Sequence, residues 1–409
     1  MRKLAQHHRS VPTTLLSVAL VVLAPLGAQP PRAANPNDTL KSPEILPDHR
    51  VVFRIYAPKA SEVTITGDWI AQGRGTGGAL QKDAQGVWSI TVGPLIPDFY
   101  SYSFTVDGVR TLDPKNPQIK QGVASLDNMF EVPGEETAFQ DNRRAPHGDV
   151  TKVWYYSEAL AQMRRMHVYT PPGYGTGTAR HPVLYLMHGG GDEDSGWSTI
   201  GRAGFILDNL IAAGKAKPMI VVMPNGSISL PGVSTAVAPQ DRENPSALEA
   251  RMVALSRLHD AFVQDLLKGI IPHVEKNFRV LANRENRAMA GLSMGGAETL
   301  RVAPTRLDLF SYIGVFSMGL QKGYTQGVAS DFETRNAKFL GNRQETNKLL
   351  KLFWIGVGSN DRTVLNGPKL LSETLNRYSI KHVYHETEGG HTWINWRGYL
   401  NDFLPLLFR

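Results

Sequence analysis

The chain contains no cysteine in 409 residues, which excludes a thiol nucleophile and a disulfide framework and leaves core burial to stabilise the fold. It carries no basic run and no basic helix face. Its formal charge of +7 therefore gives little reason to expect nucleic acid as a partner. Internal repeats, low-complexity tracts, a dinucleotide fingerprint and a phosphate-binding loop are all missing from the sequence. Metal ligation finds no support either. His382 and His385 stand three apart on an expected strand and so face opposite sides, while Asp192, Glu193 and Asp194 are contiguous and better suited to holding a loop or touching substrate hydroxyls. No cofactor and no metal are expected.

A membrane-spanning apolar run is also missing at the N-terminus. The uncharged stretch Val11 to Pro31 has an apolar centre of only Leu15 to Leu26, too short for a bilayer. Met1-Arg2-Lys3 and Arg9 precede it, and Leu26-Gly27-Ala28 offers a small-residue cleavage site. Residues 1–28 therefore read as a signal peptide, which implies a secreted or periplasmic protein without stable membrane insertion; a retained anchor is the alternative. Loss of Arg2, Lys3 and Arg9 would leave a net charge of +4.

What is present concentrates in three motifs. Gly291-Leu292-Ser293-Met294-Gly295-Gly296 follows the apolar run Arg287 to Ala290. A Gly-x-Ser-x-Gly at a strand end that opens a helix is the layout of a nucleophile elbow, a turn so tight that the residues two before and two after the serine must lack side chains. Leu184 to Met187 runs into His188-Gly189-Gly190-Gly191-Asp192, the pattern of a loop whose backbone approaches a substrate carbonyl. Gly190 N–H and Met294 N–H are the expected oxyanion donors, and His188 reads as a structural histidine at the strand end. A flexible surface loop or a phosphate cradle is the competing reading of the glycines.

Glu388-Gly389-Gly390-His391-Thr392-Trp393 puts His391 in the last loop, where the order Ser, acid, His requires a base. That position separates it from the other eleven of the twelve histidines. The acid should end the buried strand Lys351 to Gly358, which selects Asp361. Glu388 is its competitor, with a loop-shaping role as the alternative use. Asp192, Trp197 and Trp393 are the candidate substrate-binding residues.

With these residues in hand, 152–409 resembles the esterase family that includes carbohydrate esterase family 1 feruloyl esterases, esterase D-type S-formylglutathione hydrolases and mycolyl transferases. The likeness runs through Tyr155-Tyr156-Ser157, Arg165 to Tyr174, Leu207 to Ile211, Met219 to Gly226, the elbow, and Gly389 to Trp393. It implies an α/β-hydrolase fold with Ser293 as nucleophile, Asp361 as acid and His391 as base. It also implies an ester-substituted polysaccharide or oligosaccharide as substrate. Feruloyl esters of plant cell walls lead. Acetylxylan, a siderophore or another small ester remain alternatives, as does, from another class, a carbohydrate-binding protein with an inactive hydrolase domain.

The expected organisation is a signal peptide over 1–28 and a flexible leader over 29–45. An immunoglobulin-like β-sandwich over 46–133 and a charged linker over 134–150 follow, then the hydrolase over 151–409 with a mostly parallel sheet. The β-rich part resembles the early-set domains related to carbohydrate-binding family 48, down to Asp107-Gly108 and Asp113-Pro114-Lys115-Asn116-Pro117. Trp69 and Trp88 are either sugar-stacking or core residues. In the hydrolase, strands are expected at 183–187, 219–223, 286–290, 312–316, 351–357 and 381–386. A helix should bury Leu258, Phe262, Leu266, Ile270 and Val274. The Ser227 to Ala254 stretch is expected to be an irregular insertion, either a pocket wall or an inert loop.

Overall fold

In the computed structural model, residues 35–70, 78–236, 238–241, 244–320 and 328–409 are described. The expected signal peptide and the first residues of the leader lie outside them. No helix among the described residues is long and apolar enough to cross a membrane.

Among the described residues, nine strands form the N-terminal unit: β1 (Glu44–Ile45), β2 (Val51–Tyr56), β3 (Val63–Gly67), β4 (Gln81–Lys82), β5 (Val87–Val92), β6 (Asp98–Val106), β7 (Val109–Thr111), β8 (Ile119–Gln121) and β9 (Leu126–Val132). They make two antiparallel sheets, ordered β1-β2-β5-β4 and β3-β6-β9-β8, with β7 paired to β6. Period-two patterning drives the packing. Val51, Phe53 and Ile55 from one sheet meet Tyr100, Tyr102 and Phe104 from the other, all buried. Trp69 stacks on Phe53 at 5.3 Å, and buried Trp88 donates its indole N–H to Ala57 O at 2.9 Å. Trp88 is thus a core residue, while Trp69 is half-buried and packs one ring face against the core.

The leader differs from the expectation of flexibility. Ser42 Oγ accepts from Arg54 N at 2.9 Å, Arg54 pairs with Glu44 at 2.7 Å, and β1 pairs with β2. An open strand edge is covered this way.

Eight further strands build the second unit: β10 (Asp149–Ser157), β11 (Gln162–Thr170), β12 (Val183–Met187), β13 (Ile220–Pro224), β14 (Arg287–Leu292), β15 (Tyr312–Phe316), β16 (Leu352–Gly358) and β17 (Val383–Thr387). Their order is β10-β11-β13-β12-β14-β15-β16-β17. β10 and β11 are antiparallel to their neighbours and β12 to β17 run parallel. Alternate residues feed opposite cores: Val183, Tyr185 and Met187 pack on one face with Phe262, Leu266, Ile270 and Val274, while Leu184 and Leu186 pack on the other with Trp197, Leu207 and Phe403. Strands buried on both faces read as continuous apolar runs, and the sheet is an α/β-hydrolase sheet as expected.

Two stretches depart from the sequence reading. The antiparallel hairpin β10–β11 begins at Asp149, inside the span expected to be linker. Upstream of it Phe139 O and Asp141 O accept from Asn209, so that segment is docked. The supposed irregular insertion turns helical at Pro245, where Asn244 caps Ser246 N at 3.0 Å and proline occupies the first turn.

The two units share a buried joint. Phe99 and Met129 of the sandwich enter the hydrolase core. Arg397, fully buried, donates to Asp98 at 2.6 Å, Phe99 O at 2.7 Å and Ile200 O at 2.8 Å. A buried cation held by a carboxylate and two carbonyls fixes the relative placement of the units, since removing either charge would strand the other away from water.

Candidate active site

Ser293 sits between β14 and the helix Met294–Val302 with φ 49° and ψ −113°. Such backbone costs on the order of 1–3 kcal/mol and persists only where its surroundings impose it. They do so here. Ser293 N donates to Phe316 O at 2.8 Å, and Ser293 O accepts from Ala297 N at 3.0 Å. A Cβ on Gly291 would lie 2.4 Å from the Gly295 carbonyl, and one on Gly295 would lie 2.4 Å from Met187 Cβ and 2.6 Å from His188 O. The sharp turn aims Oγ away from the sheet end, toward His391.

His391 Nε2 lies 2.9 Å from Ser293 Oγ, and its Nδ1 lies 2.9 and 3.1 Å from the two oxygens of Asp361. Asp361 is buried and follows β16. Its Oδ1 also accepts from Thr363 N at 3.1 Å and Val364 N at 3.4 Å, which locks the carboxylate. Glu388 is exposed and contributes a backbone carbonyl, which accepts from Asn395 Nδ2 at 2.6 Å. Asn395 was invisible in the sequence. Its amide also accepts from Gly390 N at 3.1 Å and Thr392 Oγ1 at 3.2 Å, so one buried side chain shapes the whole His391 loop. Trp396 packs edge-on against the His391 ring at 5.0 Å and donates to Ser317 Oγ at 3.0 Å.

The loop after β12 faces Ser293. Met294 is the first residue of its helix, where N–H groups have no partner within the helix. The Cβ position of Gly190 lies 4.0 Å from Met294 Cβ, so the two residues expected to supply the donors are neighbours in space. His188 is buried and neutral in role: burial pushes its pKa down, Nδ1 donates to Gly189 O at 2.8 Å and Nε2 accepts from Gly226 N at 2.9 Å.

The three acidic residues after the glycines are all engaged in holding this loop. Asp192 pairs with Lys120 at 2.7 Å, Arg165 contacts Glu193 and Asp194, and His167 Nδ1 lies 2.8 Å from Asp194. Burial alone would raise the Asp194 carboxyl, but His167 and Arg165 hold it below the ordinary range.

The substrate-binding candidates need correction. Trp197 is fully buried with its indole N–H on Met187 O at 2.9 Å, and Trp393 packs edge-on against it at 5.0 Å. Asp192, 5% exposed, is committed to Lys120. All three are buried and already have partners within the protein, unlike the exposed lining expected of a binding surface.

Glu298 lies on the helix that follows Ser293, wholly buried, with neither carboxyl oxygen hydrogen-bonded. Burial raises its pKa well above the usual 4.5, partly offset by Arg164. The folded state thus prefers the protonated form, so the stability tied to this group is complete below pH 4.5 and is lost as pH rises toward the folded pKa. Glu298→Gln, which cannot ionise, is expected to match the parent at pH 4. At pH 8 it should be more stable by about 1–3 kcal/mol. Thermal unfolding of both proteins across that range checks this, and a constant difference at every pH would refute it.

Comparison with known proteins agrees with this geometry. Residues 157–407 match the family described as Putative esterase, and residues 35–117 match Carbohydrate-binding module 48 (Isoamylase N-terminal domain). An endo-1,4-beta-xylanase/feruloyl esterase of Xylanibacter ruminicola is 31% identical over 365 residues, covering 87% of this chain and 44% of that protein. The chain therefore spans less than half the length of that relative. A CE1 ferulic acid esterase from Anaeromyces mucronatus, solved in complex with ferulic acid, is 26% identical with a TM-score of 0.53, covering 66% of this chain and 94% of that one. The enterobactin esterase of Shigella flexneri shares the fold at 16% identity, with a TM-score of 0.59 over 87% of this chain and 92% of that one. The chain belongs to the putative-esterase family of α/β-hydrolases and carries a β-sandwich of the carbohydrate-binding module 48 type ahead of the hydrolase domain.

Proposed function

We propose that this chain is a secreted serine esterase that releases feruloyl or related hydroxycinnamoyl groups from plant cell-wall polysaccharide. The observation that carries the reading is the unbroken chain of contacts Asp361–His391–Ser293, each about 2.9 Å, beside the paired Gly190 and Met294 backbone. Ser293 Oγ attacks the ester carbonyl while His391 Nε2 takes its proton, and the two N–H groups receive the oxyanion. Collapse of the tetrahedral intermediate expels the sugar alkoxide, which leaves with the proton held by His391. Water, deprotonated by the same nitrogen, then attacks the acyl-serine, and the carboxylic acid departs with Ser293 restored.

Feruloyl specificity draws support from the xylanase/feruloyl esterase relative and from the ferulic acid esterase neighbour. Export draws support from the sequence of residues 1–28. The fold shared with the enterobactin esterase keeps a trilactone siderophore as the second substrate to test. Purified protein should release ferulate from arabinoxylan and hydrolyse methyl ferulate faster than acetylated xylan or the trilactone. Preference for the trilactone would replace the cell-wall reading, and turnover of none would favour a binding protein.

A further inference from the structure

The loop that carries Gly190 is held in part from outside its own domain. Gly189 to Asp192 forms a turn closed by Asp192 N donating to Gly189 O at 3.3 Å, with Gly191 at φ +88°. Gly190 and Gly191 are both exposed and have no side chains to pack, so the turn is intrinsically soft. An oxyanion donor is effective only if it is in place before charge develops. Something must hold it.

Arg165 and His167 of the hydrolase hold the loop at Glu193 and Asp194, and the restraint on the glycine turn itself comes from the β-sandwich. Val123 N donates to Gly191 O at 2.9 Å, and Gly122 bridges Asp192 in antiparallel fashion. The approach is so close that a Cβ on Gly122 would lie 2.5 Å from Gly191 O. Lys120 Nζ reaches Asp192 at 2.7 Å, with both side chains largely buried. Burial pulls the Lys120 ammonium down, yet Asp192, with Asp127 and Asp68 nearby, more than offsets this and its pKa ends above the ordinary value. The segment that delivers these contacts is itself anchored. Lys120 lies opposite Asp127 in the β8–β9 register, and Met129 further along β9 enters the hydrolase core.

We propose that Lys120 to Val123 of the sandwich is a positioning element for the oxyanion loop, setting the Gly190 N–H through the Lys120–Asp192 pair and the Val123–Gly191 hydrogen bond. This rests on the serine-esterase reading above and assigns the β domain a part in turnover that needs no sugar binding. Lys120 acts through Asp192 and touches no reacting atom.

The test uses the full chain with Lys120→Met and the double variant Lys120→Met/Asp192→Asn. The double variant removes both charges of the pair, so Asp192 is not left as an unpaired buried carboxylate, and thermal unfolding registers what Asp68 and Asp127 lose with the Lys120 ammonium. Steady-state kinetics on methyl ferulate, affinity for an arylboronate that forms a tetrahedral adduct with serine, affinity for ferulate, and thermal unfolding are measured together. The inference expects kcat to fall about ten- to a hundredfold, with KM and ferulate affinity within about threefold and the boronate weakened by the same factor as kcat. Retention of kcat within about twofold by the folded double variant would overturn it. So would equal weakening of boronate and ferulate, which marks a general loosening of the site. An inactive parent protein would overturn the esterase reading, and this inference with it, whereas an active parent with unaffected variants overturns the inference alone.

Discussion

Ser293→Ala is expected to leave the protein folded and to remove nearly all ester turnover. The hydroxyl makes one hydrogen bond, to His391, while the backbone at 293 is imposed by Phe316 O, Ala297 N and the glycines around it. Loss of the hydroxyl therefore does not unlock the elbow. Alanine at φ 49° is no more strained than serine, so thermal unfolding should change little. Without the nucleophile, only the oxyanion donors and binding remain, which sustain a residual rate roughly 10³–10⁴ above water. Hydrolysis of an aryl ester, followed continuously, measures this. Retention of more than about a hundredth of the parental rate would remove Ser293 from the role, because a residual that high exceeds what positioning alone supplies.

The elbow was legible because its demands are local. The two residues on either side of a serine decide whether a strand can turn that sharply, and the glycines stand where a Cβ would collide. The parallel strands were legible for a similar reason, since burial on both faces makes β12 to β16 apolar apart from Arg287 at the start of β14. The edge hairpin β10–β11 is different. Lys152, Trp154 and Tyr156 alternate with half-buried and buried neighbours, and the exposed Trp154 and Tyr156 blur the polar side of the pattern. Its first residues, Asp149 and Val150, therefore merged with the charged linker.

Residues that act through a distant backbone group left no mark in the sequence. Asn395 shapes the His391 loop from the following helix, and Lys120 reaches Asp192 from another domain. Neither has a spacing that signals its partner. Aromatic residues mislead for the opposite reason: an indole lining a pocket and an indole packed behind one look identical in sequence. Trp197 and Trp393 proved to be the latter.

The acid offers the sharper discrimination, because Glu388 is the carboxylate beside His391 in sequence, whereas Asp361, far from it along the chain, is the one that meets its imidazole. Asp361→Asn should lower kcat by about 10⁴, the scale reached when an orienting carboxylate becomes an amide and the imidazole takes the wrong tautomer. The geometry favours so large a loss. Both Asp361 oxygens lie within 3.1 Å of Nδ1, and the N–H groups of Thr363 and Val364 leave the side chain no freedom to rotate away. An amide in that position must present its NH₂ to backbone donors or to Nδ1, so one contact becomes repulsive. Glu388→Gln should cost about tenfold or less, since an exposed carboxylate is screened by water and its loop is held through its backbone by Asn395. Steady-state kinetics of both variants on one aryl ester decide the matter. Reversal of their order would make Glu388 the acid and reduce Asp361 to a turn residue after β16.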